Sequence, residues 1–209
     1  MASEAPHDEL SLASLLVSRL MHDLAASAGA VGNGIEMLRE EAKADPGSLD
    51  LLEFSARETV RRLEFFRLAF GAAGGLGVRQ PLDEARQKTL AYFDGRKVKI
   101  DWPASAARDL PQPLVKLTLN LVLIASEALP RGGTLSVAVD EDLLVVTAAG
   151  TGANVADERK AALAGGDALL NARLVQPYYA GVLARSMRAT VETEAGTDRV
   201  VLRAKIPPL

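Results

Sequence analysis

Two long amphipathic helical patterns joined by a tight turn constrain this chain more than anything else in it. The first runs from about Glu9 to Lys43 and the second from about Leu49 to Ala72. Between them, Ala44-Asp45-Pro46-Gly47 is a strong turn signal, and Ser48 is placed to cap the helix that follows. At ~100° per residue, Leu16, Leu20, Leu24, Ala28, Val31, Ile35 and Leu38 fall in one stripe about 120° wide. The second helix carries its own stripe of Leu52, Ala56, Val60, Leu63, Phe66 and Phe70. Two such helices make an antiparallel hairpin, and a lone hairpin leaves much of both stripes in water. Pairing with a second copy into a four-helix bundle removes that problem, so a homodimer is expected. Packing of the stripes on the rest of the same chain is the alternative.

The chain has two histidines. His7 lies in a polar N-terminal tail, residues 1–8. His22 sits inside the first helix and points almost opposite its apolar stripe, toward solvent. Beside it on the same face lie Ser18, Ala25, Ala26 and Gly29, and Asn33 and Glu36 continue that face. Arg19 and Asp23 flank it. A glycine inside a helix costs about 1 kcal/mol against alanine, and close approach of a partner helix is a reason to tolerate Gly29. The second helix runs back and is expected to bring Arg67 to Gly71 level with His22. Arg67, Arg61 and Arg57 are then candidates to meet acidic or phosphorylated groups. Ordinary i,i+4 pairing, such as Glu53 with Arg57, is the plainer reading of those arginines.

Composition excludes several classes. A net charge of −3 leaves no basic excess to offset nucleic-acid phosphates. The absence of cysteine removes disulfides and thiolate chemistry, and two histidines do not suffice for a His-rich metal site. No apolar run reaches the ~18–20 residues needed to cross a bilayer, and the first residues lack the basic and apolar regions of a signal peptide. A cytoplasmic location is expected.

Gly71-Ala72-Ala73-Gly74-Gly75-Leu76-Gly77 breaks the helical pattern and reads as a linker rather than a phosphate loop, since no strand precedes it and no Lys-Ser/Thr follows. The expected organisation is a tail over 1–8, a helical hairpin over 9–73, a linker over 74–80 and a second domain over 81–209. In that domain the patterns predict a helix from Pro81 to about Asp94 and a strand from Arg96 to Trp102. A helix from Gln112 to Leu129 follows, then strands from Thr134 to Asp140 and Leu143 to Ala149. Further helices end at Ala164 and span Val175 to Met187, and closing strands span Ala189–Glu194 and Arg199–Ile206. This is an α+β chain, a helical hairpin followed by an α/β sandwich with helices on one sheet face.

A His-Asp pair on a hairpin followed by such a sandwich resembles a histidine-kinase core. More closely, the chain resembles the ChpT family of histidine phosphotransferases. The runs that carry the resemblance are Ser18-Arg19-Leu20-Met21-His22-Asp23-Leu24, Asn33-Gly34-Ile35-Glu36-Met37-Leu38, Asn120-Leu121, Glu127-Ala128-Leu129-Pro130-Arg131-Gly132-Gly133-Thr134-Leu135 and Val175-Gln176-Pro177-Tyr178-Tyr179-Ala180. Ser27 stands where the family tends to have proline, so a straighter helix is expected. The resemblance implies a second domain of the Bergerat ATPase type. A working site of that type needs a second Asn four residues after Asn120 and an Asp-x-Gly-x-Gly box. Those positions hold Ile124, which cannot ligate Mg²⁺, and Ala148-Ala149-Gly150-Thr151-Gly152, whose first alanine cannot accept a bond from adenine. The glycine-rich lid is also missing, so no ATP, metal or other cofactor is expected in this chain.

The expected function is that of a phosphorelay intermediate. His22 would pass a phosphoryl group between receiver-domain aspartates of a hybrid histidine kinase and a response regulator. Asp23 would orient its imidazole, and Ser18, Arg19, Ala25, Ala26, Gly29, Asn33, Glu36 and Arg67 would form the docking face. Mg²⁺ is expected only in the partner receiver. Neither nucleic acid nor membrane is an expected partner. A non-catalytic receiver-binding adaptor, or less favourably an atypical ATP-dependent histidine kinase, are the alternatives.

Overall fold

The structure is a computed structural model that describes residues 9–40, 46–71, 78–104, 108–166 and 170–207. Helix α1 spans Glu9–Glu40 and α2 spans Pro46–Phe70, an antiparallel hairpin. Residues 44 and 45 of the expected turn lie outside the described residues, as do the tail 1–8 and residues 72–77 of the glycine-rich break, while Pro46 and Gly47 belong to α2. α2 begins three residues earlier than expected, at Pro46, whose locked φ suits a first helical position. Ser48 is therefore inside the first turn of α2 rather than its cap. α1 is continuous through Ser27, whose buried hydroxyl donates to the Leu24 carbonyl at 3.0 Å.

Beyond the hairpin the order is β1 (Arg79–Pro81), α3 (Leu82–Phe93), β2 (Val98–Asp101), β3 (Asp109–Pro111), α4 (Gln112–Glu127), β4 (Gly133–Val139), β5 (Leu143–Ala149), α5 (Asp157–Ala164), α6 (Val175–Ser186), β6 (Val191–Gly196) and β7 (Arg199–Lys205). A five-stranded sheet runs β2-β4-β5-β7-β6. β2 and β4 are parallel, with α4 in the connection between them, and the other pairs are antiparallel. β1 and β3 form a separate two-stranded ladder. Each is three residues long, ends in proline and has no alternation to read, so it was not expected from the sequence. β1 begins inside the stretch assigned to the linker.

α4 is the central layer. It is apolar nearly all round, the pattern of a helix covered on every side: Leu114, Leu117, Leu119, Leu121, Val122 and Ile124 are all buried. One side meets the inward row of the sheet, in which Leu135 pairs with Ala148, Ala148 with Val200 and Val146 with Leu202. The other side meets α2 and α6. The C-terminal end of α2 is therefore core. Phe65, Phe66, Leu68 and Ala69 are buried in the same cluster as Leu82 and Leu114, and Phe65 stacks on Tyr92 with ring centroids 4.4 Å apart.

Asn120 of α4 is wholly buried at this joint. Its amide donates to the Ala69 carbonyl at 3.0 Å and the Lys116 carbonyl at 2.9 Å, and its oxygen accepts from Gln176 Nε2 at 2.9 Å. One side chain thus ties α2, α4 and α6 together. The apolar stripe of α1 is split by the packing. Leu16, Leu20, Leu24, Val31 and Leu38 are at least partly covered, whereas Ala28 and Ile35 are exposed, as are Val17 and Met21 beside them. Buried Ser27 and Gly34 show that the covered face is centred some way round from the apolar stripe. On α2, Leu49, Val60 and Leu63 are likewise exposed.

Asn120→Ala is expected to destabilise the fold by about 2–4 kcal/mol, because the buried Ala69 carbonyl loses this donor and the Gln176 amide loses one of its two acceptors. Asn120→Asp should cost at least as much, since a carboxylate would face two carbonyl oxygens. Thermal unfolding of the two variants checks this; wild-type melting curves would refute the clasp.

Candidate functional site

His22 projects from the middle of α1 with 87% of its side chain exposed. The expected neighbours Ser18, Ala25, Ala26, Gly29, Asn33 and Glu36 are all exposed too, on one strip of helix. Nothing lies within 4 Å of where a Cβ would sit on Gly29, so no packing within the chain demands glycine there. A groove beside this strip is lined by Ala26, Ala30, Ser55 and the exposed ring of Phe54. Phe54 was not among the expected docking residues, although an aromatic on the polar side of an amphipathic helix is a legible signal.

Asp23 is adjacent to His22 and half-buried. Its Oδ1 lies 3.3 Å from His22 Nδ1, and its Oδ2 accepts from Arg19 Nε at 3.2 Å. Arg62 of α2 donates to the Asp23 carbonyl at 3.1 Å. Arg19 itself is turned inward. Its guanidinium donates to Glu127 Oε1 at 2.6 Å and to the Ala172 carbonyl at 3.2 Å, and the other Glu127 oxygen accepts from Arg159. Burial opposes the charge on Arg19, but Glu127 and then Asp23 outweigh it and hold its pKa above the ordinary arginine value. Arg19, assigned to the docking face by sequence, thus joins α1 to the second domain. Sequence reasoning missed Glu127 because its contact with α1 spans 108 residues of chain, and Arg159 because it acts on α1 only through Glu127.

The arginines of α2 also differ from expectation. Arg62 meets Asp23 and Gly34 lies against Leu52, so residues 62 to 64 are level with His22. Arg67 is about one helical turn beyond and faces Glu84 of α3 at 3.9 Å. Arg57 pairs with Glu53 one turn away, and Arg61 with Asp94 at 3.0 Å. All three are used within the chain. The register differs because α2 starts at Pro46.

The positions where a nucleotide would be held are taken up by packing. Ile124 and Ala148 are buried, and Asn120 has no donor left for a ligand. Gly150 is required by architecture: a Cβ there would sit 2.4 Å from the Gly132 carbonyl oxygen. The Gly150 and Gly152 amides donate to the backbone and side chain of Asp198, at 2.9 and 2.7 Å. Among the described residues no group of three or more His, Asp or Glu could hold a metal ion, and no helix is long and apolar enough to cross a membrane.

The site is thus an exposed, carboxylate-flanked histidine in mid-helix, on a hairpin joined to an α/β domain. The comparisons with known proteins show the class. Residues 82–199 match the family described as histidine phosphotransferase C-terminal domain. The chain is 35% identical over 202 residues to the protein phosphotransferase ChpT of Brucella abortus (strain 2308), covering 94% of this chain and 96% of that one. It is also similar to a bacterial phosphotransferase of known structure, with a TM-score of 0.85 and 34% identity over 98% of this chain and 100% of the other. The chain belongs to the ChpT family of histidine phosphotransferases and is a protein phosphotransferase.

Gly29→Ala should stabilise the protein by about 0.5–1 kcal/mol, since it removes a helix-interior glycine without a clash. Chemical denaturation checks the sign.

Proposed function

We propose that His22 is the phosphate-carrying residue and that the protein relays phosphate between receiver-domain aspartates of a hybrid histidine kinase and a response regulator. The observation that carries this reading is the exposure of His22 on an unobstructed strip with a carboxylate at its Nδ1. With Asp23 accepting from Nδ1–H, the lone pair is on Nε2, the nitrogen further from the backbone. That lone pair attacks the phosphorus of a receiver acyl phosphate. The P–Nε2 bond forms, the bond from phosphorus to the receiver oxygen breaks, and its electron pair restores the receiver carboxylate. The ring becomes a phosphoimidazolium, whose positive charge Asp23 stabilises while the Nδ1 proton stays shared between them. Transfer to the next receiver is the same step in reverse.

The docking face in this reading is Ser18, Ala25, Ala26, Gly29, Asn33 and Glu36 of α1, with Phe54 of α2. The small side chains let a receiver helix approach closely, and the Phe54 ring offers it apolar area. Mg²⁺ and its ligands belong to the receiver. Nucleotide has no role, because the groups that would hold it are replaced or committed.

We also propose a homodimer. On each helix the exposed apolar residues lie about 100° round from the face that meets its partner helix. Because the helices are antiparallel, both offsets fall on one side of the hairpin. That side presents Val17, Met21 and Ile35 of α1 with Leu49, Val60 and Leu63 of α2, all more than 40% exposed. A second copy of the same face would complete a four-helix bundle. His22 is about 125° round α1 from this face, so dimerisation leaves it accessible.

Incubation with a labelled phospho-receiver should label the protein, and His22→Ala should abolish that label. Labelled ATP alone should give none; if it does, the kinase alternative holds. Absence of label from any phosphorylated cognate receiver would leave the adaptor. For the dimer, Val60→Glu with Leu63→Glu should halve the mass measured by light scattering without unfolding the chain. A dimer mass for that variant would place the interface elsewhere.

A further inference from the structure

We propose that Glu127, in the second domain, is a positioning residue for His22: through Arg19 it fixes Asp23 and so keeps the imidazole in the tautomer whose nucleophile is Nε2. This rests on the reading of His22 as the phosphate carrier and adds to it a reason for the second domain.

The chain of contacts is continuous. Arg159 and Arg19 each bond one oxygen of Glu127, which fixes the carboxylate plane. All three nitrogens of the Arg19 guanidinium are engaged: NH2 by Glu127, NH1 by the Ala172 carbonyl, and Nε by Asp23 Oδ2. A planar fork held at three points has one orientation. Its Nε then holds one oxygen of Asp23, and the other is left facing His22 Nδ1. Arg19, Asp23 and Glu127 border a cavity of about 240 Å³ between α1, α2 and the second domain. On that side the hydrogen bonds of Arg19 set its position. Two of its three anchors, Glu127 and Ala172, come from the second domain.

Loss of Glu127 removes the shortest of those bonds. Arg19 is then free to leave Asp23, whose carboxylate is free to rotate off the imidazole. Both ring tautomers are then populated, and the fraction with a free Nε2 lone pair falls. Glu127 does not touch His22, so the effect falls on the reactivity of the ring rather than on the surface offered to a receiver.

The test uses the full chain and a partner-free probe, phosphoramidate, which transfers its phosphoryl group to an accessible imidazole with release of ammonia. Glu127→Ala should slow modification at His22 on the order of ten-fold, by analogy with the low end of the loss when outer-shell partners of metal-bound imidazoles are removed. Glu127→Gln, which keeps an oxygen acceptor for Arg19, should recover part of the rate. Nitrogen NMR of the ring should show a larger share of the Nδ1 lone-pair tautomer in Glu127→Ala than in wild type. Glu127→Ala in an Asp23→Ala background should change nothing further. Wild-type rate and ring-nitrogen shifts in a folded Glu127→Ala would overturn the proposal. So would a loss seen only in receiver affinity, which would make Glu127 a docking residue. His22→Ala is the separate control: phosphate uptake from a receiver that survives it would refute the reading of His22 itself, whereas an inert His22→Ala beside an unaffected Glu127→Ala would refute only the role of Glu127.

Discussion

The structure depends on the burial of Phe65, Phe66, Leu68 and Ala69, in the last two turns of α2, against α3 and α4. Phe65 is fully buried and stacked on Tyr92, Ala69 is fully buried, and the Ala69 carbonyl is bound by Asn120. A helix end inserted into a core this way is a rigid joint: every tilt of α2 would open apolar surface and break a buried hydrogen bond together. α1 is attached to the second domain only lightly. It leans on α2, and among the described residues its polar tie to the second domain is Arg19. The hairpin is thus held through one helix, which leaves the other with a long exposed face, and that face carries His22.

The same interior bears on the positions that the sequence compares with a nucleotide site. The Asn120 amide closes the contact among α2, α4 and α6. The turn at Gly132 passes against Gly150, and Gly152 turns with positive φ onto Asp198. At the two remaining positions a polar group would have no partner in the packed interior. Ala148 sits in the inward row of the sheet between Leu135 and Val200, where a carboxylate would be buried unpaired. Ile124 faces the same core.

Helical phase alone placed His22 toward solvent with its small-residue strip, because an outward face needs no knowledge of what the inward face meets. Phase failed where the answer depended on a neighbour. The apolar stripe of α1 is one face by helical phase, but the packing covers only part of it and leaves Ala28 and Ile35 outside. A turn through Gly47 would set Arg67 level with His22, and the start of α2 at Pro46 moves it a full turn away. β1 and β3 have no period to detect. The ties from Arg19 to Glu127 and Ala172 are long-range and leave no local trace. The exposed strip of α1 is legible in the sequence; the long-range contacts that tie α1 to the second domain are not.

That division has a physical origin in what each group is asked to do. An accessible nucleophile must sit where few contacts exist, so its surroundings are set by local sequence. The orientation of its ring must be fixed by something, and on an exposed helix face no packing is available to fix it. A hydrogen-bonded chain reaching back to a rigid body is the available solution, since each link is directional and each charged donor is matched by a charged acceptor. On the proposal made for His22, its exposure calls for a distant anchor. The second domain would supply that anchor from the end of its central helix, at Glu127, whose carboxylate binds Arg19.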